Sequence, residues 1–496
     1  ATWGVNNDRG FIGFAAEYTK TNGFAEGDLA GFYSPYDGDC RSRIILGASG
    51  QEYNDNCSGS FGAGAASTSA FGFLGFEEGT NIPGLPPGFF QIPVTGSLLT
   101  SGDPGGQALL LWPEELEAAF SPDFSRTTIF TVGELSPGWY GDATPYFEAS
   151  WSSRKTATNT SGQGRVRIPG DYALGNFGGL DGTLYYSSRF IQDTEVSQTR
   201  MTGGIKGDLP FMDGVGSLAG WTYDAYVSYS RSNGDDAIEG IAYYPRLEQT
   251  LSNTRFDEAT GEFVCDPRTV PGEGQQVTCR PLNFFDPTFI LTGRFPDPDD
   301  NAYLFPNRIT NTVVEQAICQ AFVTGEFFYI PWGGPASMVL GIEYRDDKIE
   351  TKTDAGASGG DFFGYSADPG ANGTRWLREA FTEFDLPLVL DRKFVSELSL
   401  NLAGRWTEEE FFGEETTYRV QAQYGPVDWL RFKGTVGTSF RAPNLGEQFG
   451  GQVTGFASNY TDPCEPPGIT VPFVDHDNDP NTPEIRLYNP DLETRE

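Results

Sequence analysis

The side chains of this chain best suited to holding a metal gather near its end. In "VDHDNDPNTPE", Asp475, Asp477 and Asp479 occupy alternate positions and lead to Asn481, with Glu484 beyond. Oxygen donors at alternate positions suit calcium, a hard cation that collects several carboxylate and carbonyl ligands. The spacing departs from a helix–loop–helix calcium loop, because Pro480 stands where the central glycine belongs and Arg486 where a bidentate acid belongs. A solvated acidic loop is the plainer alternative. From Arg441 onward, however, ten Asp or Glu face three Arg, a repulsion that a divalent cation would relieve. Asp297, Asp299 and Asp300 form a second, weaker cluster. Calcium in exposed loops is the one cofactor the sequence suggests.

Covalent chemistry lacks its parts. The single histidine, His476, lies inside the acidic run with no nucleophile elbow around it. Carboxylate pairs abound because acids abound, so a glycosidase reading has no specific support. No phosphate loop or dinucleotide fingerprint occurs, and the chain reads as a non-enzyme. The six cysteines show no C-x-x-C spacing for a metal or redox pair. Cys40 with Cys57 and Cys265 with Cys279 each enclose a short loop of Gly, Asn, Asp and Pro. Two disulfide staples in an oxidising compartment are the expectation, with free thiols the alternative. Cys319 and Cys464 are left to pair with each other, or Cys464 with a cysteine outside this stretch.

What scaffold carries these loops follows from composition and periodicity. The 33 Lys and Arg against 68 Asp and Glu leave a net charge of −35, which repels nucleic acid and excludes it as a partner. Such a charge often marks disorder, but 39 Phe, 22 Tyr and 9 Trp are too many for a disordered chain. No run of about 18 apolar residues offers a transmembrane helix, and "ATWGVNNDRG" does not resemble a signal peptide. A mean hydropathy of −0.37 looks soluble, yet membrane β-barrels look the same because only alternate residues meet lipid.

Period-two alternation dominates. Leu398, Leu400, Leu402, Gly404 and Trp406 share one face, opposed by Ser399, Asn401, Ala403 and Arg405. Tyr418–Tyr424, Leu430–Phe440, Ala336–Tyr344, Trp221–Tyr229 and Ile12–Tyr18 alternate in the same way. These predicted strands run roughly 9 to 14 residues, beyond the usual globular strand and suited to a tilted crossing of a bilayer. Their second face carries Arg345, Arg405, Arg419, Arg431 and Lys433, as a wet lumen would. Aromatics recur at the strand ends, as in interfacial girdles. "YGPVDW", "IPWGGPAS" and "LPLVLDRKF" read as short connections, whereas 231–320, 346–373 and everything after Arg441 read as long loops. That asymmetry fits an outer-membrane barrel with periplasmic turns and extracellular loops. A large soluble all-β protein is the alternative, without a fixed-period repeat to support it.

The segment "GTVGTSFRAPNLGEQF" resembles the signature of TonB-dependent outer-membrane receptors, in which a barrel strand runs into Phe-Arg-Ala-Pro-x-Leu-x-Glu-x-Phe. Here that motif is Phe440, Arg441, Ala442, Pro443, Asn444, Leu445 and Glu447. "GEFFYIPWGGPASMVLGIEYRDDK", "REAFTEFDLPLV", "DPC" and "NPDLETRE" resemble further family segments in family order, over roughly residues 180 to 496. The resemblance implies an antiparallel transmembrane β-barrel, part of a 22-stranded one, in a Gram-negative outer membrane. It also implies uptake of a scarce solute driven by the TonB–ExbB–ExbD system acting on a plug. The countable strands, about twelve to fourteen, fall short of 22, and no plug or TonB box is visible. The expectation is therefore an incomplete barrel over residues 1–496, with plug and last strands elsewhere, or with a surface lipoprotein or other chain completing it. Lipid and a small nutrient are the other implied partners. A passive porin or a surface-binding barrel without energised transport is the competing function. The aromatic and amide-rich loops suit a neutral or cationic solute, since an anionic chelate would recruit the Arg and Lys that are scarce here.

Overall fold

The computed structural model describes residues 1–25, 118–266 and 278–453, with short pieces between 28 and 91. Its frame is one antiparallel sheet of 15 strands, 12 of which lie side by side in chain order. They are β1 (Thr2–Asn7), β2 (Gly10–Thr21), β3 (Asp123–Leu135), β4 (Thr144–Ile168), β5 (Gly182–Asp208) and β6 (Ala219–Glu239). The run continues through β7 (Arg308–Ile330), β8 (Gly334–Thr353), β9 (Asn372–Arg392), β10 (Val395–Glu409), β11 (Gly413–Val427) and β12 (Leu430–Gly437). Three short strands, Gly62–Thr68, Gly72–Phe76 and Phe89–Gln91, branch from the start of β5. The sheet is not closed among the described residues: β1 and β12 are its edges. No described helix is long and apolar enough to cross a membrane, which says nothing of crossing by strands.

Register settles the faces, because residues directly opposite on neighbouring strands point the same way. Gln320, Glu343, Glu379 and Thr407 form one cross-strand row, so they share the inner face. The positions between them, such as Cys319, Tyr344 and Trp406, point outward. Followed across the sheet, the outward set includes Trp3, Phe14, Trp151, Val227, Ile342, Tyr418 and Phe432, all large hydrophobics left exposed. A polypeptide does not leave such a belt in water; it is the lipid face of an outer-membrane barrel. The faces assigned from the sequence to Ile12–Tyr18, Trp221–Tyr229, Ala336–Tyr344 and Leu398–Trp406 all match this register.

The strands β4 to β11 are longer than the predicted 9 to 14 residues. β4 has 25 residues and β5 has 27. At about 3.4 Å per residue, β5 measures on the order of 90 Å, far more than a tilted crossing of a ~30 Å hydrocarbon layer needs. The excess lies at the long-loop end. The 231–320 region is accordingly not irregular at its ends: β6 continues to Glu239, and β7 starts at Arg308. Likewise β8 reaches Thr353 and β9 starts at Asn372. Above the membrane both faces are wet, so the apolar half of the alternation vanishes while backbone pairing persists.

Connections alternate as the asymmetry predicts. The residues 8–9, 136–143, 209–218, 331–333, 393–394 and 428–429 join strands at one end, and 22–122, 169–181, 240–307 and 354–371 at the other. The exception is 410–412, a short connection on the long-loop side. "LPLVLDRKF" is mostly strand rather than turn, since β9 runs to Arg392 with a register slip between Pro387 and Val389. Pro387 has no N–H to donate, so the ladder gives way there.

Between β6 and β7 lie α1 (Tyr244–Asn253), α2 (Pro287–Thr292) and α3 (Pro298–Leu304). They bury Leu247, Phe289, Ile290, Tyr303 and Leu304 with Phe177 and Phe284, against Val166, Leu184 and Tyr186 of the extended strands. Those three strand residues are in phase with the inner face, so the loop core sits on the inner side of the wall. α4 (Ala355–Gly359) closes a smaller core with Ile238, Ile241 and Phe362.

Candidate functional site

The break after β12 is built by side chains rather than by Pro443. Backbone pairing ends at Gly437, opposite Arg419, and not at Pro443, where a missing N–H leads the sequence to place the stop. The reason is local. Thr438 donates its N–H to Tyr418 O at 2.9 Å, while its hydroxyl accepts the Tyr418 N–H at 3.1 Å, so a side chain replaces the next ladder bond. The chain then enters α5 (Leu445–Phe449) instead of an open loop. Asn444 caps it: its Oδ1 accepts from Glu447 N at 2.8 Å, and Glu447 accepts from Asn444 N at 2.8 Å, a closed capping box. Arg441 donates from Nη2 to both Glu447 oxygens at 2.7 Å. The Asn444 N–H first, and the Arg441 guanidinium second, hold the Glu447 carboxyl below its ordinary pKa.

Arg375 of β9 anchors this segment. Its guanidinium pairs with Asp347 of β8 at 3.3 Å and donates to Pro443 O and to Gln448 Oε1. Both charges are nearly dry, the Arg375 side chain 11% and the Asp347 side chain 6% exposed, and Gln316 Nε2 completes Asp347 at 2.8 Å. The Phe449 ring lies directly on Gly373, where any Cβ would overlap it, and packs edge-on to Phe411. A pairing between Ala371 and Gly450 finishes the dock. The motif is thus folded against the loop-side ends of β8 and β9, on their inner face.

The inner wall from β8 to β12 is a continuous polar lattice. Glu343 takes Arg345 at 2.7 Å, and Glu379 takes Arg405 at 2.8 Å with Thr407 at 2.9 Å. Glu383 takes Arg419 at 3.2 Å and Asn401 at 2.8 Å, and Glu397 takes Arg431 at 3.5 Å. The arginines assigned to a wet lumen from alternation all sit in it. By contrast, a hollow of about 690 Å³ lies on the outer face, where Ala225, Ala321, Ala380 and Gly404 are flanked by Leu340, Ile342 and Trp406. It belongs to the lipid side and offers a solute nothing.

Of the predicted staples, Cys265–Cys279 is a disulfide with Cα atoms 5.4 Å apart. Cys40, Cys57 and Cys464 lie outside the described residues, as do Asp475, Asp477, Asp479 and Asn481. Cys319 is a free thiol on the outer face. The weaker acidic cluster is occupied by a cation of the chain's own: Arg280 reaches Asp300 at 2.7 Å, Asp297 at 3.3 Å and Asp299 at 3.9 Å. Burial pushes the Asp300 carboxyl up, with Arg280 opposing. No group of metal-ligating side chains occurs among the described residues. The aromatics of "GGDFFGYSADPGANGTRW" are engaged in packing: Phe362 is buried, Tyr365 lies under Arg308 at 5.0 Å and Trp376 under Arg378 at 4.3 Å.

Sequence reasoning missed Asp347 and Arg375. Extending the inward set Ser337–Arg345 by one step would have included Asp347, and register then puts Arg375 opposite it.

The family model for the TonB dependent receptor-like β-barrel matches residues 138–495. No curated protein matches the chain, and no solved structure does.

Proposed function

The chain belongs to the TonB-dependent receptor β-barrel family, and on that premise we propose that it takes up a scarce solute across a Gram-negative outer membrane, powered through TonB. The observation that carries the reading is the family match, which spans most of the twelve-strand run and its motif. Members of this family are transporters, so the barrel's task is to bind and admit rather than to transform.

Each part of the wall has a role in this reading. The outward aromatic belt seats the barrel in lipid. The paired inner wall gives a hydrophilic surface on which a plug can slide without exposing unpaired charge. The stapled loop core narrows the extracellular mouth and presents the surface that a solute meets first. The motif Phe440–Glu447, locked by Arg375, fixes where the wall ends and the loop begins. Iron chelates, cobalamin and oligosaccharides are the solute classes to screen, with calcium at 475–481 a further proposal for the loops.

The deciding experiment deletes the gene and scores growth on limiting iron, cobalamin and single oligosaccharides. A deficit rescued by the wild-type gene, but not in a strain lacking TonB, is the expected result. Rescue that persists without TonB would replace energised uptake with a passive porin.

A further inference from the structure

We infer that the inner wall of β3–β5 carries an oxyanion-binding strip, built from Arg126, Arg154 and Arg200, which selects a solute bearing carboxylate or phosphate groups. This rests on the uptake reading and specifies what kind of solute the barrel admits. Arg126 and Arg154 are directly opposite each other across β3 and β4. Like charges so placed destabilise a sheet unless something neutralises them. Nothing among the described residues does so fully. Arg126 has Glu17 at 3.8 Å, with both side chains about half exposed or more at 48% and 65%. Among the described residues, Arg154 has only the face of Phe124, 5.9 Å away. Among the described residues, the hydrogen-bond partner of Arg200 is Ser228 Oγ, at 3.4 Å. All three are exposed.

The contrast with the rest of the chain makes this informative. Acids outnumber bases two to one, and each inner arginine of β8–β12 has a carboxylate within 3.5 Å. Carboxylates are therefore plentiful, yet among the described residues the strip has one, Glu17, no nearer than 3.8 Å to Arg126. What surrounds it instead is hydroxyl and amide. Ser152 is opposite Gln198, and Arg200 stands between Ser150 and Ser230 in its row. Guanidinium groups among hydroxyls and amides fit a polar oxyanion, each planar fork matching a carboxylate or phosphate edge.

Position favours a solute over an internal partner. Trp151, on the outer face, marks the girdle, and Arg154 lies three residues further towards the long loops, roughly 10 Å along the strand. Arg126 shares that level. Arg200 is opposite Ser150, just below. The strip thus descends from the mouth into the barrel. The fold sets three of the scarce Arg here without a close carboxylate, so an anionic solute fits this wall better than a neutral or cationic one.

The test uses the full-length receptor in detergent at low ionic strength, titrated calorimetrically with citrate, pyrophosphate and, as a neutral control, glucose. Wild type should bind both anions and not glucose. Arg154→Gln and Arg126→Gln should each weaken anion binding about tenfold, the cost of one lost charge-assisted contact. Lys433→Gln, which removes an inner charge far from the strip, should leave it unchanged. Absence of anion binding, or equal binding in all variants, would overturn the inference. So would a loss of thermal stability in Arg154→Gln without any change in anion binding, because the arginine would then be paired inside the intact receptor. Binding in detergent needs no TonB, which separates the two readings. Arginine-dependent binding with TonB-independent passage leaves the strip standing and removes energised uptake. TonB-driven uptake indifferent to Arg154→Gln does the reverse.

Discussion

The inner wall has two regions that treat the same side chain differently. Along β8–β12 five arginines are each tied to a carboxylate, the tightest at 2.7 Å and the loosest at 3.5 Å. Along the inner face of β3–β5 the arginines stand beside serines and each other, with a single carboxylate contact at 3.8 Å among the described residues. The first region is complete in itself: its charges are neutralised within the sheet, so it presents dipoles rather than fields. The second leaves its field open towards the lumen. In an acidic chain the paired arrangement is the easy one to reach, so the unpaired one is what needs a partner from outside.

The largest expected effect lies at the most deeply paired point. Asp347→Ala would leave Arg375 charged and nearly dry, at a cost of about 3–5 kcal/mol, and would release Pro443 and Gln448 from their anchor. Unfolding of the refolded barrel, with protease cleavage between 438 and 453, reads both consequences. Arg154→Ala should change stability by no more than about 0.5 kcal/mol, as for an exposed residue with no carboxylate partner among the described residues. Equal losses at the two sites would erase the distinction between the walls.

Next comes the contrast between inner and outer faces of one strand. Leu400 lies opposite Leu386 and Ala422 in the middle of the lipid face, and Leu400→Arg should cost roughly 2–4 kcal/mol in bilayer refolding. Ser399→Arg, one position away on the wet side near Glu397, should stay within about 0.5 kcal/mol. Leu430 is not equivalent to Leu400. It pairs with Val427 at the two-residue connection, next to the interface, so Leu430→Arg should cost only about 0–1 kcal/mol. Similar penalties at 399 and 400 would mean that the faces are misassigned.

A smaller effect probes how the motif docks on the paired wall. Gly373→Val would drive a side chain into the Phe449 ring, so α5 must lift or shift, at about 1–3 kcal/mol. Hydrogen exchange across 445–451 should rise, while exchange in β3–β5 should not move. A rise in both would indicate that the two walls are coupled.

How much of this was legible in the sequence depends on where lipid ends. Within the bilayer, alternation is enforced by solvent, so the faces of Leu398–Trp406 and Ala336–Tyr344 are readable residue by residue. Above it, β6 and β7 still pair along the backbone, with side-chain contacts such as Asn311 to Asp235 at 2.6 Å and polar residues on both faces. No periodicity is then left to detect, and those extensions look like loop. A sequence reading ends the strand at Pro443, because a missing N–H is visible in a sequence. A threonine hydroxyl taking over a ladder bond is visible only once Tyr418 and Thr438 are neighbours. The paired and unpaired arginines are identical as letters, and register alone separates them.

The smallest effect is a pH dependence at the motif itself. Glu447 accepts from the Asn444 N–H and from Arg441, both of which favour its charged form, so its pKa in the folded protein lies below that of the unfolded chain. The sign follows: the contribution is fully present above the unfolded value, ordinarily near 4.5, and is lost as pH falls through the lower folded one. Asp300 works in the opposite sense, because burial raises its pKa and the folded state holds its proton more tightly, so its share favours folding as pH falls. Acidification should therefore loosen α5 before it disturbs the α3 region. Glu447→Gln should abolish the pH dependence of amide exchange at 444–448 while leaving that at 297–304 intact. If acid instead opened both segments together in wild type and variant alike, the capping pair would not be what holds the motif against the wall.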